Sequence, residues 1–377
     1  MKRAVVAQRV KEAREGCGLN QTELAHRLGW KSHASIVAIE QGEKELKMWE
    51  LLKIAEVLNI APESLYGEQP IGPLSSPQIL WRQKGAQSEA VCQEERHIYQ
   101  HCEDYRLLEK LVVQPSFPLR ELSKRDFNVQ TANFDTVNRL ADELHRELNL
   151  GDYPAEVLAR RLEEDFGVIL LSRPLENGSA ACLRSGSDIV IVTNKNDVPW
   201  RQVFSLAHEL FHIVTWSDSL IQAVQSNAAL FQKNEQWADA FAGALLMPQQ
   251  MIERDVYGRK LSYSVVVVMA RKYGVSTQAM LWRLCHLRFL TVNAVQATLE
   301  DREFNEFDRS TYKEAFESAP SFGNRFLRLA YLVFESGKIS KSRLARMLGV
   351  NLRDLEQYLS TNGFTLTDDK EIASCIG

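Results

Sequence analysis

The sequence has no apolar run long enough to cross a membrane. Its longest aliphatic stretch, Val265 to Ala270, is short and flanked by polar residues, whereas a membrane-spanning helix needs roughly 20 apolar residues. The N-terminal sequence, MKRAVVAQRVKEAREG, has no apolar segment followed by a cleavage site of the kind found in a secretory signal. These absences predict a cytoplasmic protein that makes no membrane contact.

Paired cysteines are also missing. The chain has six cysteines, none of them in a CxxC pair: Cys17, Cys92, Cys102, Cys182, Cys285 and Cys375. This scatter argues against a disulfide framework and against a zinc site built from cysteines. We therefore expect most of them to be small buried apolar residues.

A strong charge of either sign is absent as well. The formal net charge is −4, so any contact with DNA must come from a local patch. Hydrophobic residues make up 45% of the chain and charged residues 25%, which is the balance of a globular protein. With 377 residues the chain is too long for one ordinary core, which predicts two or three domains.

Helical periodicity dominates the pattern that is present. Period-two stretches occur only at Val168 to Leu171, Ala180 to Leu183 and Ile189 to Thr193, and the last two flank a hairpin signal. We therefore expect a mainly α fold with a small antiparallel β-sheet, an α+β class. Two long helices are predicted after the strands, over about Arg201 to Thr215 and Asn234 to Met247.

The first part of the chain has the pattern of short helices joined by tight turns. Asn20 followed by Glu23 is a capping-box pattern that opens one helix. A second short helix is expected from about Ala34 to Glu40, closed by Gly42. Residues 5–66 resemble the Xre/Cro-type helix-turn-helix domain. In such a domain the second helix enters the major groove with its N-terminal residues, so the resemblance implies double-stranded operator DNA as the partner.

The candidate DNA contacts cluster at the starts of these two helices: Gln21, Ser32, His33, Ser35 and Val37. His33, Ser35 and Val37 are placed to contact bases, and Gln21 is placed to contact a phosphate. The second helix lacks arginine, and basic and acidic residues nearly balance across the domain. A domain of the same fold that binds a partner protein is therefore the alternative.

The central motif of the chain is His208-Glu-Leu-Phe-His212. On a helix, positions i and i+4 share a face, so both imidazoles can bind one metal ion. Glu209 lies at the edge of that face and is expected to act as the catalytic base on a water molecule. Apolar neighbours place the two histidines against a core, where an unsatisfied polar pair would be costly.

A second segment supplies the remaining groups. Glu235, predicted to begin the next helix, could be the third zinc ligand, and Asp239 could accept a hydrogen bond from a ligand histidine. For the oxyanion, Tyr257, Tyr263 and Arg283 are candidates, although a structural use is favoured for each. The strand at Ile189 to Thr193 could offer an edge to an extended substrate, or could be an internal strand.

Three segments resemble the ImmA/IrrE family of metallopeptidases: Phe204 to His212, Glu235 to Ala242 and Leu245 to Pro248. The similarity extends over about Asp135 to Leu290. It implies a thermolysin-like, gluzincin-type Zn²⁺ site and a substrate that is often a DNA-binding repressor. At Phe211 the family commonly has glycine, which implies a narrower cleft here.

The resemblance of residues 5–66 to the Xre/Cro-type helix-turn-helix domain rests on segments such as Leu19 to Ala25 and Ile36 to Gly42. The predicted division is therefore a helix-turn-helix domain at 1–67 and a linker and helical connector at 68–130. A metallopeptidase domain at 131–290 and a helical C-terminal domain at 291–377 follow. The last domain contains a basic helix-turn-helix-like segment, for which packing or oligomerisation is favoured over DNA reading.

Two functions from different classes remain open. In one, the chain is a DNA-binding transcriptional regulator whose zinc peptidase, active or latent, cleaves a repressor or toxin encoded nearby. In the other, it is an antitoxin or autorepressor of a toxin–antitoxin module, with the zinc domain as scaffold or sensor. Glu209 favours the first, because a purely structural zinc site needs no base beside its ligands. Zinc storage fits poorly, and a homodimer is expected if the operator is palindromic.

Overall fold

The structure is a computed structural model that describes residues 3–16, 19–30, 32–44, 46–58, 65, 80–81, 89–112, 119–175, 178–185, 188–311 and 323–365. The chain divides into two compact units, unit 1 (Met1–Gln78) and unit 2 (Ile79–Gly377). The finer predicted boundaries at 130 and 290 fall inside unit 2 and stay predictions. Within the described ranges no helix is both long and apolar enough to cross a bilayer.

Unit 1 contains α1 (Arg3–Gly16), α2 (Gln21–Arg27), α3 (Ala34–Glu40) and α4 (Met48–Leu58). The predicted capping box opens α2: the Asn20 side chain accepts from the Glu23 amide, and the Glu23 carboxylate accepts from the Asn20 amide. Glycines follow α2 and α3 with φ of +70° and +73°, in the left-handed region that favours glycine at helix ends. Local signals therefore account for where these two helices begin and stop.

Unit 2 begins with β1 (Leu80–Trp81) and α5 (Glu89–Leu111), followed by α6 (Phe134–Glu147) and α7 (Pro154–Phe166). Three strands come next: β2 (Ile169–Arg173), β3 (Ala180–Ser185) and β4 (Asp188–Asn194). The remaining described helices are α8 (Pro199–Thr215), α9 (Asp218–Ser226), α10 (Ala228–Leu246), α11 (Gln249–Val256), α12 (Tyr263–Lys272), α13 (Thr277–His286), α14 (Val292–Glu300), α15 (Arg302–Thr311), α16 (Asn324–Glu335), α17 (Lys341–Met347) and α18 (Leu355–Thr361). The expected α+β class is confirmed.

The sheet has the strand order β1-β3-β4-β2. β3 runs antiparallel to both β1 and β4, as expected for a hairpin, but β2 runs parallel to β4. The prediction of a purely antiparallel sheet was therefore wrong, because β2 lies beyond β4 rather than beside its neighbour in sequence. β4 is internal, so the strand at Ile189 to Thr193 offers no edge to a substrate.

The two faces of the sheet bury different sets of side chains. Leu170, Cys182 and Ile191 belong to the larger core, together with α6, α7, α8 and α10. Alternate residues such as Leu171 and Val190 face a second core, formed with α5 and the C-terminal helices α16, α17 and α18. Both faces of the sheet are thus covered, and α8 packs on the face that belongs to the larger core.

The C-terminal helices contact α5 through basic residues of the helix-turn-helix-like segment. Arg343 forms an ion pair with Asp104 at 2.9 Å, and Lys338 donates to the carbonyl oxygen of Leu111 at 2.6 Å. Two of the basic side chains in the helix-turn-helix-like segment are therefore engaged in intramolecular packing.

Candidate metal centre

The central helix of the site is α8, which begins with Pro199 directly after its cap and packs against β3, β4 and α10. Proline suits this first position because its missing N–H would have no partner inside the helix. Along α8 the residues around the motif are apolar and fully buried. His208, Glu209 and His212 are only 0%, 2% and 7% exposed. Burying three such polar groups together requires that they satisfy each other or bind something.

Glu235 reaches the site from α10, but not from the start of that helix. α10 begins at Ala228, where the Asn227 side chain accepts from the amides of Ala229 and Leu230. The prediction that Glu235 begins the helix was wrong, because the cap at Asn227 lies two turns earlier. Glu235 is instead held in mid-helix, where the backbone on both sides is fixed.

Three ligand atoms converge between α8 and α10. Nε2 of His208 lies 3.1 Å from Nε2 of His212. The Glu235 carboxylate contacts both rings, with Oε2 3.4 Å from Nε2 of His208 and Oε1 3.2 Å from Nε2 of His212. The candidate ligand atoms of these three residues all lie within 4.8 Å of one another.

The outer nitrogens of both histidines face polar side chains of α10. Nδ1 of His208 lies 2.7 Å from Oδ1 of Asp239, the residue expected there from sequence. Nδ1 of His212 lies 3.3 Å from Nδ2 of the Asn234 side-chain amide. The buried Oδ1 of the same amide has no partner among the described atoms. An amide can present either end, and its oxygen would accept the Nδ1 proton of His212. Both rings can then direct an unprotonated Nε2 inwards.

These contacts fit a bound divalent cation. Two unprotonated nitrogens and a carboxylate oxygen are all acceptors, so they repel one another unless a positive charge lies between them. Ligands about 2.0–2.1 Å from a tetrahedral zinc ion lie roughly 3.3 Å apart, close to the observed 3.1, 3.2 and 3.4 Å.

Glu209 lies beside the ligand group without belonging to it. Its carboxylate interacts with the thiol of Cys182 on β3. Burial raises the pKa of that thiol well above its ordinary value, and the charge of Glu209 raises it further, so the thiol stays protonated. This polar contact was missed from the sequence, where a scattered cysteine indicates only a small buried residue.

Asn234 was also missed, although a signal was available. Each histidine that binds a metal usually has a hydrogen-bond partner on its other ring nitrogen. The sequence analysis assigned one such partner, Asp239, to two histidines. A search for the second would have led to Asn234, the polar residue directly before Glu235.

The candidate oxyanion residues lie in different environments. Arg283 is buried and donates from Nε to the carbonyl oxygen of Met247 at 2.9 Å and from Nη1 to Oδ1 of Asn138 at 2.7 Å. Tyr263 donates to Oδ2 of Asp301 at 2.9 Å. Tyr257 is 87% exposed. The contacts of Arg283 and Tyr263 tie helices together, which is the structural use that the sequence favoured.

Phe211 does not narrow a cleft. Its ring is fully buried in the larger core and packs edge-on against Phe127, with ring centroids 5.0 Å apart, and against Phe241 at 5.5 Å. The side chain therefore helps to hold α8 against α10 and the segment before α6. The expectation of a narrower cleft is corrected, because position 211 faces the core rather than solvent.

Four of the five candidate DNA contacts of unit 1 lie around the start of α3, and the fifth, Gln21, begins α2. Ser32 and His33 are exposed, and Ser35 and Val37 are half-buried. The Ser32 hydroxyl accepts from the Ala34 amide at the first turn of α3. Gln21 is engaged within the unit, since its Nε2 donates to Oε2 of Glu40 at 2.8 Å. DNA contact by these five residues stays a prediction.

Comparison with known proteins agrees with both halves of this description. Residues 10–65 match the helix-turn-helix family model, and residues 163–284 match the IrrE N-terminal-like domain of a peptidase family. A solved structure, a Mycobacterium tuberculosis transcriptional regulator, is similar at 18% identity over 40% of this chain and 46% of that chain, with a TM-score of 0.33. This chain thus spans less than half of that structure's length. No curated protein matches the sequence significantly. The expected pairing of a helix-turn-helix domain with an IrrE-like domain is confirmed.

Proposed function

We propose that this protein is a DNA-binding transcriptional regulator whose second unit is a zinc-dependent endopeptidase. Its substrate would be a protein partner, namely a repressor or a toxin encoded nearby. The observation that carries the proposal is the convergence of His208, His212 and Glu235 on one buried point, with Glu209 beside them. The match to a peptidase family over 163–284 supports the same reading.

Zinc is the metal that this donor set favours. Two imidazole nitrogens and one carboxylate oxygen are the ligands of a catalytic zinc site with one open position. His208, His212 and Glu235 would hold the ion, while Asp239 and Asn234 orient the two rings. When bound, such an ion polarises a carbonyl group and lowers the pKa of water towards neutrality.

Glu209 would perform the proton transfers. Its carboxylate lies on the same helix as the two histidines and is kept out of bulk water. It accepts the proton of the attacking water and returns it to the leaving amine nitrogen of the cleaved peptide bond. The Cys182 thiol beside this carboxylate would donate to it and restrict its orientation.

Unit 1 would bring this site to an operator or to a repressor bound there. The family match over 10–65 supports DNA binding, and α3 would present Ser32, His33, Ser35 and Val37 to the major groove. Gln21 could reach a phosphate only by exchanging its hydrogen bond with Glu40. A homodimer would suit a palindromic operator.

The test combines metal analysis with cleavage. The full chain, Glu209→Gln and His208→Ala are purified, their zinc content is measured, and each is incubated with the repressor or toxin encoded beside its gene. We expect about one zinc per chain for the wild type and for Glu209→Gln, cleavage by the wild type alone, and loss of both properties in His208→Ala. Zinc retained by His208→Ala would contradict the ligand assignment. Bound zinc and operator binding without cleavage would favour the antitoxin or autorepressor alternative instead.

A further inference from the structure

β3 is the strand of the sheet that lies closest to the chemistry of the site. It packs against α8, and the thiol of its Cys182 interacts with the carboxylate of Glu209. One edge of β3 is paired with β4. A polypeptide that paired with the other edge would therefore run alongside the base and the metal ligands. Adding an extended strand to a sheet edge is a general way to bind a peptide through its backbone.

The other edge of β3 is already paired with another strand of the same chain. In β1, Leu80 is the antiparallel partner of Cys182, and Trp81 is the partner of Ala181. β1 thus lies opposite the residue that contacts Glu209. A sheet edge offers one set of N–H and C=O groups, so β1 and an incoming peptide cannot pair with the same residues of β3 at once.

We propose that β1 is an intramolecular occupant of the peptide-binding edge of the peptidase, and that a protein substrate must displace it to reach Glu209 and the metal ligands. The proposal rests on the proposed function for the identity of the competitor. Competition for the edge itself does not require cleavage. β1 makes only a two-residue pairing, so a longer strand that pairs along all of β3 would have more backbone hydrogen bonds to offer.

Chain position adds to this argument. Unit 2 begins at Ile79, and β1 begins at the next residue. The occupant is therefore the first element after the DNA-binding unit rather than part of the continuous run from α6 to α10 that carries the ligands and the base. Removing its pairing should leave that run intact.

The first test measures peptide binding in the full chain carrying Glu209→Gln, so that no cleavage occurs. The probe is a fluorescent synthetic peptide of residues 76–86, and the readout is anisotropy. Replacing Leu80 and Trp81 together by proline removes both amide donors of β1 and should break the pairing. We expect this variant to bind the peptide on the order of tenfold more tightly than the parent, because its edge is vacant in a larger fraction of molecules. The matched control, Ser75→Pro with Ser76→Pro, should bind like the parent, and a scrambled peptide should bind neither.

Equal peptide affinity of the parent and the Leu80→Pro, Trp81→Pro variant, with matching circular dichroism spectra, would overturn the proposal. A second variant guards against misfolding. Trp81→Cys with Ala181→Cys places two thiols at directly paired positions, where strand geometry suits a disulfide. The oxidised form should bind no peptide, and reduction should restore binding to the parental level.

An oxidised form that binds the peptide as well as the reduced form would also overturn the proposal. A failure of this inference can be distinguished from a failure of the proposed function. Competition for the edge in a protein that cleaves nothing would leave this inference standing and defeat the peptidase. Cleavage of a partner at the same rate with β1 locked or released would support the peptidase and contradict this inference.

Discussion

Units 1 and 2 each bury a small polar cluster between helices, and the two clusters differ in how their donors and acceptors balance. In unit 1, Arg14 donates to Glu40 from Nε at 2.6 Å and from Nη2 at 3.0 Å, and Gln21 donates to the same carboxylate. Arg14 also donates to the carbonyl oxygen of Leu19 at 2.7 Å. This cluster is electrically paired and needs nothing from outside.

The cluster of unit 2 is the opposite case. His208, His212 and Glu235 direct ligand atoms at one point, and the Nδ1 atoms of the two rings face Asp239 and Asn234. Buried acceptors without a donor are costly, so such an arrangement persists where a ligand supplies the missing positive charge. The first cluster therefore stabilises the fold by itself, whereas the geometry of the second fits a bound cation.

The largest effect that distinguishes the two clusters is metal removal. Chelation should lower the stability of unit 2 and leave unit 1 unchanged, because the proposed zinc site lies in unit 2. At free zinc a thousandfold above the dissociation constant, the bound ion contributes about 4 kcal/mol. Scanning calorimetry with and without a chelator measures this. A shift in the transition of unit 1, or no shift in either, would break the comparison.

The next effect concerns the paired cluster. Glu40→Ala leaves the Arg14 guanidinium without its carboxylate, and removing one partner of such a buried pair costs about 3 kcal/mol. The pair is well buried, with the side chains of Arg14 and Glu40 only 8% and 3% exposed. We expect the transition of unit 1 alone to move to lower temperature, with zinc affinity unchanged. The exposed Glu43→Ala is the control, and an equal loss in both variants would show that the pair contributes nothing special.

Most of the helical framework was predictable because its signals are local. Pro154 at the first position of α7 and the left-handed Gly167 after it mark the limits of that helix. The capping box of α2 and the i, i+4 histidines of α8 are likewise properties of a few adjacent residues. Such features depend little on the rest of the fold.

The features that were missed depend on residues far apart in the chain. The direction of β2 is set by its pairing beyond β4, across the β3–β4 hairpin. The thiol of Cys182 meets Glu209 only because β3 packs on α8. The early start of α10 was missed for a local reason. Asn227 is a normal cap and apolar residues follow it, but the polar stretch from Gln232 to Gln236 then interrupts the apolar periodicity that would have indicated one helix.

The smallest expected effect tests why the rings of unit 2 point their Nε2 atoms inwards. Asn234→Ala removes the group beside Nδ1 of His212 and should weaken zinc binding about 10–100-fold, as loss of such a partner typically does. Asn234→Asp keeps an acceptor at this position and should retain most of the affinity. Gln236→Ala, an exposed amide two residues along α10, should change nothing. Competition with a chromophoric chelator measures all three. If Asn234→Asp binds zinc as weakly as Asn234→Ala, the amide is not accepting the His212 proton, and a hydrogen bond from Asn234 would no longer explain the orientation of that ring.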